Sequence, residues 1–143
     1  MSIKTAEDWR GLREIGRIVA ATLRALQAAV TEGITTGELD RIAADLVKAH
    51  GARSAPGLVY AFPGTVLISV NDEVVHGIPG PRTLRRGDLV KLDVTLEKDG
   101  YMADAARTVV VGKGSPDVTA LRKAACAAFC VRTGAGTRGA PRR

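Results

Sequence analysis

The sequence predicts an α+β fold in which two N-terminal helices pack on an antiparallel sheet. Three observations carry that prediction. Apolar residues recur at helical spacing from Trp9 to Val47. Leu92, Val94 and Leu96 then alternate with Asp93, Thr95 and Glu97, which is the period of a strand. Asp99-Gly100 joins two strand-like runs. That dipeptide is the strongest short hairpin signal, because a type I′ turn needs positive φ at both central residues.

The first helix starts at Thr5-Ala6-Glu7-Asp8, a capping hydroxyl followed by acids in the first turn. Trp9, Leu12, Ile15, Val19, Leu23, Leu26 and Val30 make its apolar face, which predicts a helix to about Ala29 with that face in the core. Thr31 to Ile34 is a turn. Thr35 and Glu38 form a capping box for a second helix, whose core face is Leu39, Ile42, Ala43, Leu46 and Val47. Gly51 is placed to end it in the left-handed conformation, and His50 in the last turn suits the helix dipole.

Ala52 to Gly64, punctuated by Pro56, Gly57, Pro63 and Gly64, reads as a loop. Val66 to Val70 is a short apolar strand. Val74-Val75-His76 reads as a second strand that ends on the histidine. Ser115-Pro116-Asp117 opens a last helix, with serine as N-cap and proline at the first helical position. It carries Leu121, Ala124, Ala125, Ala128 and Phe129. Cys126 and Cys130 lie four apart on it and read as small apolar residues. One folded unit is expected to occupy residues 1–130. Residues 131–143 form a basic Gly/Ala/Arg-rich tail with no apolar period, expected to be disordered, and the abrupt change in composition suggests a truncation or a reading-frame change.

The hairpin turn sets a register in which paired positions sum to 199. Thr95 then faces Asp104, Asp93 faces Ala106, and all four side chains share one sheet face. Asp93 and Asp104 become diagonal neighbours, roughly 7–8 Å apart at the backbone. Two acids so close repel, and burial raises the cost. A bound divalent cation removes the conflict, and so does full exposure to solvent. Thr95 is placed to hold a metal-bound water or to hydrogen-bond an acid. Arg107 falls on the opposite face, where an acid partner is expected.

Composition narrows the class. A chain of 143 residues makes one domain or part of one. No stretch approaches the roughly 20 apolar residues of a membrane span, and the N-terminus has no apolar core of a signal peptide. A cytoplasmic location is expected. The net charge of +6 belongs to the end of the chain. Residues 1–117 hold 15 basic and 15 acidic residues, and residues 118–143 hold bases alone. That tail lacks the aromatic interleaving of a nucleic-acid surface, so no specific nucleic acid and no membrane partner is expected.

His76-Gly77-Ile78-Pro79, Leu92-Asp93-Val94-Thr95 and Gly100-Tyr101-Met102-Ala103-Asp104-Ala105-Ala106-Arg107-Thr108 occur here in that order. In type and order they resemble the first half of a type 1 methionine aminopeptidase, of the pita-bread metallopeptidases. The resemblance runs from about Thr5 to about Ala125. It implies half of a pita-bread fold and removal of N-terminal methionine from nascent chains or peptides. Asp93 and Asp104 would be the first two ligands of two divalent metal ions, with Co, Mn, Fe and Zn equally suited. His76 would contact substrate and the reaction intermediate. Val59 and Phe62 would wall the methionine pocket, while Phe62 serves equally well as a core residue. The family's other ligands, a His and two Glu, lie beyond this chain, which implies weak or no activity for it alone. Implied partners are a peptide or nascent protein that begins with Met, the ribosome, and, unless the chain is a monomer, a complementing second half. A proline-specific pita-bread peptidase and a non-catalytic pita-bread binding module are the alternative readings.

Overall fold

The computed structural model describes residues 3–133, with side chains as far as 130. Helices α1 (Ala6–Ala29) and α2 (Thr36–Ala49) come first. Strand β1 (Arg53–Ser54), helix α3 (Ala55–Tyr60) and strand β2 (Leu67–Val70) follow. Strands β3 (Leu89–Lys98) and β4 (Tyr101–Val110) make the hairpin, and helix α4 (Pro116–Thr133) closes the described chain.

Both N-terminal helices start where their capping chemistry directs. Thr5 accepts from the Asp8 amide while the Asp8 carboxylate takes the Thr5 amide. Thr35 and Glu38 repeat that exchange for α2. Gly51, at φ +63°, ends α2 in the left-handed region. All strands are antiparallel and all meet on β3. β4 pairs with its full length, and β2 and β1 share its other edge. The hairpin has the expected register: Lys98 faces Tyr101, Thr95 faces Asp104 and Asp93 faces Ala106.

Alternation along β3 divides the molecule. Val90, Leu92, Val94 and Leu96 are fully buried beneath the helices. They pack with Ile15, Ile18, Val19, Leu23 and Leu26 of α1, with Leu39, Ala43 and Val47 of α2, and with Ile68 and Val70 of β2. Burial of this kind contributes about 1.5–3 kcal/mol per large side chain. Asp93 and Thr95 lie on the other face. Glu97 shares it and is buried. It accepts from Arg53 Nε at 2.9 Å, pairs with Arg53 Nη2 at 2.8 Å and takes the Gly100 amide at 2.7 Å. One carboxylate thus ties β1 to the hairpin turn.

Four expectations are corrected. The stretch expected to be a loop from Ala52 to Gly64 contains β1 and α3. Ser54 Oγ caps α3 by accepting from Gly57 N at 3.3 Å, with proline in the first turn, so Ser-Ala-Pro was a helix start. Val74-Val75-His76 is not a strand. The polar groups before it are held by side chains instead of a ladder: Glu73 Oε2 takes the Val70 amide at 2.7 Å, and Lys91 Nζ binds the carbonyls of Asn71 and Glu73. Trp9 is 57% exposed, because it lies ahead of Ile15, the first α1 residue that reaches the core. Among the described residues Arg107 meets no acid; its guanidinium donates to Cys126 Sγ at 4.0 Å. Cys126 is exposed and Cys130 half-buried. Helix α4 extends to Thr133, and the remainder of the basic tail, 134–143, lies outside the described residues.

The start of α1 is pinned to the hairpin by Asp8, which takes the Lys4 amide at 2.9 Å, the Thr5 amide at 2.8 Å and the Tyr101 hydroxyl at 3.0 Å. The two backbone bonds are the main reason its pKa falls from 3.8 to about 2. An acid with a depressed folded pKa stabilises the fold above its unfolded pKa and loses that effect as pH falls through the folded value. Asp8→Asn is therefore expected to lower the thermal midpoint at neutral pH. The gap to wild type should close as pH falls from about 4 to about 2. Circular dichroism melts across that range check it, and a gap independent of pH would contradict it.

Candidate metal centre

Asp93 and Asp104 meet on the face of the sheet turned away from the helices. The pairing is a consequence of register: Thr95 lies opposite Asp104, and Asp93 lies two residues before Thr95 on the same face. Thr95 Oγ1 donates to Asp104 Oδ1 at 2.9 Å, which orients that carboxylate. Asp93 is half-buried and Asp104 exposed. Burial raises the Asp93 carboxyl above the usual carboxylate range. The charge of Asp104 and a hydrogen bond with it push the same way, and the His76 imidazole pulls back. A carboxylate pair in this condition is destabilised unless a proton or a cation joins it.

A divalent cation fits the pair. It replaces a repulsion with two attractions, and hard oxygen donors suit Mn, Fe, Co and Zn. Among the described residues, no group of three or more His, Cys, Asp or Glu is gathered to hold a metal. Asp93 and Asp104 would by themselves supply only part of a coordination shell.

His76 reaches this face from the loop after β2. Its backbone sits at φ +59°, a conformation that costs a non-glycine residue about 1–2 kcal/mol. The next residue holds it there. Gly77 N donates to Ser69 Oγ at 3.0 Å, and Gly77 O accepts from Ile68 N at 3.0 Å. A Cβ at Gly77 would stand 2.2 Å from Ile68 O, so only glycine allows the loop to lie against β2. The imidazole is exposed and lies beside Tyr60, ring centroids 6.1 Å apart and planes 19° apart. Tyr60 in turn meets the edge of half-buried Phe62, centroids 6.2 Å apart.

The structure thus brings together Asp93, Asp104, Thr95 and His76, and places Phe62 one ring away from the histidine. Val59 is 69% exposed on α3. Tyr60 escaped the reading of the sequence. Its position depends on α3 and on Ala61 in the left-handed conformation at φ 55°, which turns the chain back so that Tyr60 and Phe62 meet. The signal that was available is Ser54 and Pro56 as a helix start.

The chain matches the model of metallopeptidase family M24 over residues 10–137. It is 51% identical to the methionine aminopeptidase of Staphylococcus epidermidis over 113 residues, which are 79% of this chain and 45% of that protein. The crystal structure of methionine aminopeptidase from Rickettsia prowazekii has a TM-score of 0.84 at 31% identity, over 90% of this chain and 52% of that one. A prolidase from Pyrococcus furiosus has a TM-score of 0.68 at 25% identity, over 80% of this chain and 33% of that one. The fold is that of the pita-bread peptidases, and the chain spans about half the length of the methionine aminopeptidases it matches.

Two outcomes follow for the centre. Asp93→Asn and Asp104→Asn are each expected to abolish binding of Mn²⁺ or Co²⁺ measured by calorimetry. In EDTA, Asp93→Asn should raise the thermal midpoint, because it removes the repelling charge, and added metal should then raise it no further. Gly77→Ala is expected to destabilise the fold by about 1–3 kcal/mol through the clash with Ile68, measured by urea unfolding.

Proposed function

The chain belongs to metallopeptidase family M24, and we propose that it carries one half of a methionine aminopeptidase site. The observation that supports this reading best is the Asp93–Asp104 pair, oriented by Thr95, with His76 on the same face. The substrate in this reading is the N-terminus of a peptide or nascent protein that begins with methionine, and the compartment is the cytoplasm. The reaction is hydrolysis of the first peptide bond.

Asp93 and Asp104 would hold divalent ions, two in this reading, and those ions when bound would supply Lewis-acid polarisation of the scissile carbonyl and a water of lowered pKa. The rest is the work of this chain. Thr95 keeps Asp104 aimed by donating to one oxygen, which leaves the other free as a donor to the metal. His76 is exposed, so a ring N–H of its imidazole can donate a hydrogen bond to the scissile peptide as charge develops there. Phe62 and Val59 offer the methionine side chain an apolar surface. Two carboxylates alone bind metal weakly, so turnover by this chain is expected to be slow or absent without donors from elsewhere.

A second reading is a proline-specific peptidase of the same fold, supported by the likeness to the Pyrococcus prolidase. The deciding assay incubates the chain with Mn²⁺ or Co²⁺ and either Met-Ala-Ser or Ala-Pro, and scores released amino acid. Slow methionine release, abolished by EDTA and by Asp93→Asn, and lowered about 10²-fold or more in kcat by His76→Ala, is the expected result. Faster cleavage of Ala-Pro would favour the second reading. Metal-dependent cleavage of neither peptide would leave the chain an inactive half-site.

A further inference from the structure

We propose that Tyr60 is a positioning residue that fixes the orientation of the His76 imidazole, an inference that rests on the role given to His76 above. Among the described residues, no hydrogen bond reaches the imidazole of His76, although its backbone is held firmly through Gly77. An exposed side chain on a fixed backbone turns about its two side-chain torsions, and a donor that turns is a poor catalyst. Misplacement by about 1 Å can lower a rate about 10²-fold. The ring of Tyr60 removes that freedom. It lies within 19° of parallel to the imidazole. Its own orientation is set by Phe62, whose ring meets it at 71°.

The support for Tyr60 extends into the backbone. Tyr60 is the last residue of α3, and the chain reverses at Ala61, whose amide and that of Phe62 both return to the Pro56 carbonyl. Gly64 lets Phe62 and Pro79 pack together: a Cβ there would lie 3.1 Å from Phe62 Cε1 and 3.0 Å from Pro79 Cδ. The loop that carries Tyr60 and Phe62 is therefore clamped to the loop that carries His76. Tyr60 is 51% exposed, and its ring lies offset beside the imidazole in a nearly parallel plane.

The test uses the whole chain labelled with ¹³C-histidine. It has only two histidines, and His50→Gln assigns the second signal to His76. The ring current of Tyr60 shields the His76 ring protons. Tyr60→Leu is expected to move the His76 resonances to their random-coil positions, with amide spectra otherwise unchanged, and Tyr60→Phe to leave them shielded. In the Met-Ala-Ser assay, Tyr60→Leu should lower kcat about two- to tenfold at unchanged KM, and Tyr60→Phe should restore it. Unshielded His76 in the wild-type chain, or identical shifts in wild type and Tyr60→Leu, would overturn the proposal. So would a rise in KM with kcat intact. Absence of cleavage in every variant would mark the chain as an inactive half-site, and the resonance shifts would still decide whether Tyr60 holds His76.

Discussion

Everything in this molecule hangs on one strand. β3 is bonded along one edge to β4 and along the other to β2 and β1, so no strand joins the sheet without it. Its alternation does the rest. Val90, Leu92, Val94 and Leu96 sit under α1 and α2, while Asp93 and Thr95 point the other way. A slip of one residue would put an aspartate in the core and a leucine on the polar face, at a cost of several kcal/mol for each exchanged position. The burial that holds the helices to the sheet is therefore also what fixes the two acids on the same face.

The same register that organises the fold loads it with a penalty. Asp93 is half-buried next to another carboxylate, and its ionised form is disfavoured by both. His76 adds a second local cost, a left-handed backbone at a residue with a Cβ. Both features sit on the one face, and stability elsewhere offsets them. Two capping boxes and the Asp8–Tyr101 contact lie away from the site, and the Glu97 clasp on Arg53 and Gly100 lies towards the turn on the same face. Unfavourable groups are thus concentrated in one place on an otherwise self-consistent scaffold.

Some features were legible because their causes are local. The Asp99-Gly100 turn sets its register through backbone conformation at two residues, and the Asp93 and Asp104 pairing follows by counting. Both capping boxes depend on groups three residues apart. Helix α1 ends at Ala29 and α2 at Ala49, where the periodic pattern stops. The errors have a different origin. Val74-Val75 has strand propensity, but a strand needs a neighbour. The neighbouring backbone groups are instead taken by Glu73 and Lys91, the latter 18 residues further on for its bond to the Glu73 carbonyl. Trp9 fits the apolar period of α1, yet it is left exposed even though Asp8 beside it bonds Tyr101 of the sheet.

By itself the sequence determined the two N-terminal helices, the hairpin, the start of the last helix, the identity of the core face of β3 and the presence of two acids on the opposite face. These depend on periodicity, turn conformation and hydrogen bonds within a few residues. Tertiary structure alone decided that His76 joins those acids from a loop, that the ring of Tyr60 lies beside it in a nearly parallel plane, and that Glu97 is buried beneath Arg53. Each of these requires two segments far apart in the chain to meet at a particular angle. That angle is set by close backbone approach at Gly77 and Gly64 and by the short helix α3, which no residue period encodes.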